Sequence, residues 1–272
     1  MDVSVIIVNY NTYGLIVDCI ESVYKHTSGL QFEVILVDNA SPNGFPADEF
    51  RAKFPEAKLK LSKENLGFAG GNNLGIAVAT GKYILLLNSD TYLKENSLLV
   101  TYKYMEARPK AGVVSARLVY PDGRHQSVAQ RFPSVKYELA ELLRLQKFMS
   151  KASAGKFLLG AFFDHKENTT ADWVWGAYYF FRSELLKHMP GNKLDETYFM
   201  YNEDIQWSLD IHRLGYEVHF CADTEVVHIM EGSGGKKSKM MIENGDLFLK
   251  KNFSPLKVVL IKKLRSLLHG NT

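Results

Sequence analysis

The fold class of this 272-residue chain is decided by residues 83–91, which read YILLLNSDT. A short apolar run with a β-branched and an aromatic residue is typical of a fully buried strand, and it is too short to span a bilayer. The run ends in Asn88, Ser89 and Asp90. In open α/β sheets ligands bind beyond the carboxyl ends of the strands, where hard oxygen ligands suit Mg²⁺ or Mn²⁺. Taken by itself, the segment favours a polar turn after a core strand, and the other segments change that weighting.

Two earlier segments repeat this arrangement of a buried strand with a polar end. Residues 3–8 form a continuous apolar run that is followed by the polar residues 9–12 and then by apolar residues at helical spacing. Residues 32–37 form a second run, which ends in Asp38. Strands that alternate with helices indicate an α/β fold.

A glycine-rich segment at residues 65–73, NLGFAGGNN, precedes a further helical pattern. Its glycines allow a tight turn and a close approach of the backbone to a ligand. It is neither the dinucleotide fingerprint nor a Walker A loop, because the required glycine spacing and the Gly-Lys-Ser/Thr ending are absent from it.

The second half of the chain carries two adjacent acids, Glu203 and Asp204, at the start of a predicted helix that has Asn202 as its N-cap. They follow a strongly apolar strand at 173–181, in which Gly176 and Ala177 leave room for a ligand against the backbone. Acids are common in the first turn of a helix because they complement its dipole, and that is the structural alternative for this pair.

The bulk composition indicates a folded globular protein. The formal net charge of +3 is too small to indicate nucleic-acid binding, and Cys19 and Cys221 offer neither a disulfide framework nor a metal-binding spacing. The N-terminus runs directly into a strand, without the pattern of a signal peptide. A cytoplasmic location is the simplest expectation.

The C-terminal residues 256–269 alternate apolar residues with lysines and an arginine. This pattern predicts a basic amphipathic helix. Such helices lie on anionic bilayers, but they also simply cover a protein core. The sequence therefore leaves two interpretations open, a cytoplasmic protein and one held peripherally at the inner face of the plasma membrane.

Taken together, these segments closely resemble the inverting family 2 glycosyltransferases with the GT-A fold. The matching strings, in the order of the family, are 8–11, 37–41, 65–73, 88–90, the pair 203–204, and His228 with a Gly/Ser loop behind it. The string at 65–73 is most similar to the rhamnosyltransferase-like branch, which usually takes dTDP-L-rhamnose.

The resemblance implies a GT-A fold, in which a Rossmann-like, mostly parallel central sheet is flanked by helices, with the C-terminal amphipathic helix added. It implies a glycosyltransferase domain over residues 1–240, with a nucleotide-sugar half at 1–120 and an acceptor and catalytic half at 121–240. Residues 241–272 would form a helical tail.

The resemblance also implies a nucleotide site formed by Asn9, Tyr10, Asn11, Asp38, Asn65, Gly67 and Ser89. Asp38 would accept the imide N–H of a uracil or thymine ring, since a carboxylate is an acceptor matched to that donor. The structural alternative for Asp38 is a side chain that caps a turn. Asn65 and Gly67 would approach the ribose and the diphosphate.

The same resemblance implies a divalent ion, Mg²⁺ or Mn²⁺, held by Asp90 and His228, which would stabilise the charge of the leaving diphosphate. Asp204 would be the general base that removes the proton of the acceptor hydroxyl, and Glu203 would orient it or bind an acceptor hydroxyl. Lys236 and Lys237 would contact the phosphates, with a solvated loop as their alternative.

These roles predict a metal-dependent inverting transferase that moves a sugar from a dTDP- or UDP-sugar to a glycan or a lipid-linked saccharide in cell-surface polysaccharide synthesis. The alternatives are a hexosyl- or N-acetylhexosaminyltransferase that uses a UDP-sugar, and a non-catalytic binding scaffold of the same fold. Two positions depart from the family pattern. Asn88 stands where many members have the first acid of the metal motif, and Asn43 stands in the neighbourhood where the base-binding string of the family often continues to a further acid.

Overall fold

The structure, a computed structural model, describes residues 1–230 and 239–269. Its strands are β1 (Val3–Asn9), β2 (Phe32–Asp38), β3 (Lys58–Leu61), β4 (Tyr83–Asn88), β5 (Thr91–Leu93), β6 (Ala111–Val119), β7 (Ala129–Gln130), β8 (Thr169–Ala171), β9 (Trp173–Val174), β10 (Tyr178–Arg182) and β11 (Glu217–His228). The apolar runs of the sequence analysis thus form the central strands β1, β2 and β4, whose residues are almost all buried. Strands buried on both faces need continuous apolar sequence, which explains these runs.

The α-helices are α1 (Tyr13–His26), α2 (Ala47–Lys53), α3 (Gly67–Ile76), α4 (Ser97–Glu106), α5 (Val135–Leu142), α6 (Lys151–Leu158), α7 (Glu203–Arg213), α8 (Lys239–Asn252) and α9 (Pro255–His269). Short 3₁₀ turns at Leu145–Phe148, Gly160–Phe162, Ser183–His188 and Pro190–Asn192 connect them. None of the helices in the described part of the chain is long and apolar enough to cross a bilayer.

One large mixed sheet forms the centre, with the strand order β3-β2-β1-β4-β10-β6-β11-β5 and with β8 paired to β11. The register of the parallel pairs places Asn9 beside Asp38 and Val8 beside Asn88. Because parallel strands share their carboxyl edge, the polar ends of β1, β2 and β4 meet at one place.

The antiparallel strand β10 brings the second half of the chain to this same edge. It lies between β4 and β6, and its first residue, Tyr178, pairs with Leu87 near the end of β4. The residues that precede β10 therefore lie beside the polar end of β4, where the Asn88 N–H donates to the Ala177 carbonyl at 3.0 Å.

The middle of the chain differs from the sequence-based expectation. Apolar residues recur at helical spacing over 138–148, which predicts one amphipathic helix, but α5 ends at Leu142, and Arg144 adopts a left-handed conformation (φ 53°) before a short 3₁₀ turn. A left-handed residue with a Cβ interrupts a right-handed helix, so the segment bends. The two cysteines are buried free thiols.

Candidate active site

Asp90 and His228, the predicted metal ligands, are brought together from the two halves of the chain. His228 ends β11, which pairs with β5 so that His228 lies beside Thr91. The His228 Nε2 atom lies 3.4 Å from Asp90 Oδ1, and the two side chains are only 8% and 13% exposed. This separation is longer than a good N–H···O hydrogen bond, so the two atoms face each other without a strong mutual bond.

Gln126, which belongs to none of the sequence motifs, fixes the imidazole ring of His228. The Gln126 Nε2 donates to the His228 carbonyl at 2.8 Å, and the Gln126 Oε1 lies 2.7 Å from His228 Nδ1. The His228 carbonyl oxygen can only accept, so the Gln126 atom that faces it must be the amide nitrogen. The other Gln126 atom is then the amide oxygen, which also can only accept, so His228 Nδ1 must donate to it. Nε2 of the neutral ring therefore keeps its lone pair on the side of Asp90. Such outer hydrogen bonds are typical of metal-binding histidines.

The residues at this position fit a divalent ion. A carboxylate oxygen and an imidazole nitrogen are suitable ligands, and Asn88 Oδ1, two residues before Asp90, is buried without a hydrogen-bond partner among the described residues. Within residues 1–230 and 239–269, no group of three or more His, Cys, Asp or Glu side chains could hold a metal. The protein would thus supply two such ligands, and the oxygens of a bound diphosphate and of water would complete the shell.

The predicted base-binding residues form a hydrogen-bonded cluster at the ends of β1 and β2. The Asn9 Nδ2 donates to Asp38 Oδ1 at 2.6 Å, and the Ser41 hydroxyl donates to the same oxygen at 2.5 Å. The Ser41 N–H donates to Asp38 Oδ2 at 3.2 Å. Asp38 thus caps the turn after β2, as its structural alternative predicts. Its side chain is almost fully buried. An ionised carboxylate has about four acceptor positions, so these three bonds leave room for one more donor.

The same cluster continues to the metal-binding end of β4. Asn9 Oδ1 accepts hydrogen bonds from the backbone and the hydroxyl of Thr12, both at 3.0 Å. The Thr12 hydroxyl oxygen also lies within hydrogen-bond distance of Ser89 Oγ, at 3.1 Å. Between these residues, Tyr10 and Asn11 are exposed, and Asn11 has a left-handed backbone (φ 63°). A continuous chain of hydrogen bonds therefore links Asp38 to the segment that carries Asp90.

Gly67, a predicted nucleotide-binding residue, packs closely against the segment around Phe199. Its backbone has φ +73°, and a Cβ at this position would lie 2.2 Å from the Phe199 carbonyl oxygen. Both backbone polar groups are engaged, since the Gly67 N–H donates to Asn65 Oδ1 and its carbonyl accepts from Asn39 Nδ2. On the side of its Cα, the close approach that the glycine permits is made by the segment around Phe199, and the role of Gly67 near the ribose and the diphosphate stays a prediction. Asn65 remains half-buried beside it.

Asp204, the predicted base, lies at the start of α7 and contacts the residues that precede β10. The Gly176 N–H donates to Asp204 Oδ2 at 3.1 Å, and the Ile205 N–H donates to Asp204 Oδ1 at 2.8 Å. The next residue after Gly176, Ala177, is bonded to Asn88 at the end of β4. The dipeptide Gly176-Ala177 thus joins the predicted base to the predicted metal motif.

Burial changes the ionisation of both acids of the pair. It raises the pKa of Asp204 to about 6, partly offset by the two backbone N–H donors. Burial and the charge of Asp204 raise the pKa of Glu203 to about 8. The Glu203 Oε2 atom is buried without a hydrogen-bond partner in the described residues, which a neutral carboxyl tolerates better than a charged one. Of the two acids, Glu203 is therefore the one that more readily holds a proton, and Asp204 is the one that more readily carries the negative charge.

The residues immediately before α7 differ from the prediction of a side-chain N-cap. Asn202 does precede α7, but its backbone is left-handed (φ 73°) and its side chain makes no capping bond, so the predicted side-chain cap is wrong. Tyr201 is left-handed as well (φ 67°). Consecutive left-handed residues are costly, and such strain is found at functional sites. Lys236 and Lys237 lie outside the described residues.

A model of the family described as Glycosyl transferase family 2 matches residues 4–166. Glycosyltransferase GlyG of Streptococcus pneumoniae serotype 4 is 28% identical over 166 residues, which cover 59% of this chain and 55% of the relative. The rhamnosyltransferase WbbL of Escherichia coli K12 is 26% identical over 172 residues, which cover 60% of each chain. The chain thus spans little more than half the length of these relatives.

The fold is also that of solved glycosyltransferases. The mannosyltransferase PcManGT of Pyrobaculum calidifontis, solved in complex with GDP-Man and Mn²⁺, matches 99% of this chain and 70% of its own with a TM-score of 0.61 and 18% identity. This similarity confirms the GT-A fold expected from the sequence. Because the family match includes β1, β2, β4 and the polar residues at their ends, and spans more than half of the chain, it shows that the chain belongs to glycosyl transferase family 2.

Proposed function

We propose that this protein is a metal-dependent inverting glycosyltransferase that uses a nucleoside diphosphate sugar, with dTDP-L-rhamnose as the favoured donor. The observation that carries the proposal is the connection at Gly176-Ala177, through which the buried carboxylate of Asp204 lies close to the metal motif at the end of β4. The name of the relative WbbL, a rhamnosyltransferase, supports the choice of sugar.

In this proposal the acceptor hydroxyl oxygen attacks the anomeric carbon of the donor sugar. The bond between that carbon and the diphosphate oxygen breaks, and its electron pair leaves with the diphosphate. Asp204 takes the proton of the acceptor hydroxyl, so that a single displacement inverts the configuration without a covalent intermediate. A divalent ion held by Asp90 and His228 would stabilise the negative charge that develops on the leaving diphosphate.

The nucleotide would lie over the cluster at the ends of β1 and β2. Asp38 would accept the imide N–H of the base with its remaining acceptor capacity, and the exposed ring of Tyr10 would pack beside the base. Ser89 and Asn65 would lie toward the ribose. The acceptor would be a glycan or a lipid-linked saccharide of the cell surface, at the inner face of the membrane. The named relatives of the chain support this setting, since they include a teichoic acid and a succinoglycan biosynthesis protein.

The donor prediction is tested by thermal unfolding with dTDP, UDP and GDP, each with and without Mn²⁺. A nucleotide present at a hundred times its dissociation constant stabilises the native state by roughly 2.7 kcal/mol, which raises the melting temperature by several degrees. We expect dTDP or UDP to do so and GDP to have little effect, with a larger shift when Mn²⁺ is present. Unchanged melting in every nucleotide and metal combination would contradict the proposed function.

The role of Gln126 in holding His228 is tested by the substitution Gln126→Met, which keeps the volume but removes both hydrogen bonds to His228. Loss of such an outer bond is expected to weaken Mn²⁺ binding in the presence of nucleotide by about 10- to 100-fold, as measured by electron paramagnetic resonance of free Mn²⁺. Gln130→Met is the matched control, because Gln130 bonds to the Ser127 carbonyl and not to His228. Equal Mn²⁺ affinity in the two variants would show that Gln126 does not position the ligand.

A further inference from the structure

Helix α9 is apolar on two sides, and only one of them packs against the rest of the protein. Val258 and Ile261 are buried and pack with Leu249 of α8. On another side, Leu256, Val259 and Leu267 are 71%, 62% and 62% exposed. These three residues lie with Leu260 and Lys263 at positions i, i+3, i+4, i+7 and i+11, which form one stripe along an α-helix. This exposed stripe has no function in the packing of the described chain.

A second exposed apolar segment follows α5. Residues 143–149, LRLQKFM, include Leu143, Leu145 and Phe148, all of them exposed, and the Phe148 ring is 87% exposed. Helix α5 packs against α9, since Val135 contacts the cluster of Val258 and Ile261, and Arg265 Nε donates to Glu138 Oε1 at 2.8 Å. The segment that continues from α5 therefore lies at the same end of the molecule as α9.

The two stretches of sequence that carry these exposed segments are basic. Residues 142–163 and 247–272 together contain ten lysines and arginines and no acidic residue, so the remaining sequence has 23 basic against 30 acidic residues. Four of the ten form ion pairs with acids elsewhere: Lys156, Lys251, Lys262 and Arg265. The other six form no ion pair within residues 1–230 and 239–269. Basic charge is thus concentrated around both exposed apolar segments.

We propose that the exposed stripe of α9 and residues 143–149 form a docking face for an anionic phospholipid bilayer. An interfacial helix buries its apolar face at the boundary of headgroups and acyl chains, while lysines on and beside that face extend to the anionic headgroups. Each basic residue near such a surface strengthens binding. A second copy of this chain is a poor alternative occupant, because two docking faces of the same sign would repel each other.

The docking face gives the proposed glycosyltransferase a membrane partner, and binding to the membrane does not depend on sugar transfer. It would bring the enzyme to the surface at which a lipid-linked acceptor is found. Binding to lipid requires neither donor nor metal, so a failure of vesicle binding and a failure of nucleotide binding are separate results.

The test is co-sedimentation of the full chain with vesicles of phosphatidylcholine alone and of phosphatidylcholine mixed with phosphatidylglycerol, at low and at high salt. We expect binding to the mixed vesicles, weaker binding at high salt, and much weaker binding to phosphatidylcholine alone. Leu260→Glu and, separately, Phe148→Glu should each lower the partition coefficient about tenfold or more, since each places a charge where an apolar side chain would be buried.

Leu61→Glu is the matched control. Leu61 is also an exposed leucine, it lies on β3 outside the docking face, and its substitution changes the net charge by the same amount. This variant should bind as the unsubstituted protein does. The inference is overturned if the unsubstituted protein does not bind the mixed vesicles, or if Leu260→Glu and Phe148→Glu bind as the control does. It is also overturned if sedimentation analysis shows a dimer that Leu260→Glu dissociates.

Discussion

Asp204→Asn is expected to lower the turnover number by about 100- to 10,000-fold, the usual contribution of a positioned general base. The Gly176 and Ile205 N–H groups reach different oxygens of Asp204, so the single oxygen of asparagine keeps one of these hydrogen bonds, and the side chain cannot take a proton from the acceptor. Donor affinity should therefore change little. The measurement is the initial rate of sugar transfer, with the donor dissociation constant determined separately by calorimetry.

Asp210→Asn is the control for this experiment. Asp210 lies in the same helix and is bonded to Gln206 and Arg213, so its substitution tests the loss of an α7 carboxylate away from Gly176. It should keep most of the transfer activity. Near-normal turnover of Asp204→Asn would show that another group takes the proton.

The same assignment determines the pH dependence of the reaction. Burial raises the pKa of Asp204 above its ordinary value to about 6, and the base is active only as the carboxylate. The turnover number should therefore fall as the pH decreases through about 6 and become constant above it. In Asp204→Asn, the residual rate should lack this acidic limb. An unchanged limb in the variant would assign the titration to another group.

Gly67→Ala is expected to have the largest effect on stability. The added Cβ would lie 2.2 Å from the Phe199 carbonyl oxygen, and the backbone at this position is left-handed. A left-handed alanine costs about 1–2 kcal/mol, and overpacking typically costs about 1–3 kcal/mol more, so the free energy of unfolding should fall by roughly 2–5 kcal/mol. Urea unfolding at constant pH measures the change.

Two alanine controls separate the causes of this loss. Gly123 has a similar left-handed backbone (φ +85°) with open space around it, so Gly123→Ala should show the conformational cost alone. Gly14 has open space, lies in α1 and is not left-handed, so Gly14→Ala should be neutral or stabilising by up to about 1 kcal/mol. If Gly67→Ala lost no more stability than Gly123→Ala, the contact with Phe199 would not be a constraint.

Much of the site could be predicted because the polar residues follow directly after buried strands. The apolar runs of β1, β2 and β4 are local signals, and strands that are parallel neighbours must end at one edge. Asp38 and Asp90 could therefore be assigned to that edge before any coordinates were known, and the order of the family motifs added Asp204 and His228. The roles given to these residues remain predictions, although the structure does bring Asp90 and His228 together.

Other features have no local signal. Gln126 is an ordinary glutamine in the sequence, and only the course of the chain brings its amide to His228, 102 residues away. The glycine at position 67 correctly indicated a close approach, but the sequence did not show that the approaching group is Phe199. The raised pKa of Glu203 depends on its burial beside a second carboxylate, which no spacing of residues reveals.

The sequence by itself determined the α/β class, the family and the edge of the sheet at which the site lies. These properties follow from the period of apolar residues and from the residue types at strand ends, which are local. Tertiary structure decided the join of Asp204 to Asn88 through Gly176-Ala177, and it decided which apolar residues of α9 are covered. Those properties depend on strand order, on register and on contacts between distant segments. A helical pattern shows that Leu260 and Ile261 are apolar, but only packing determines that Ile261 is buried and Leu260 is exposed.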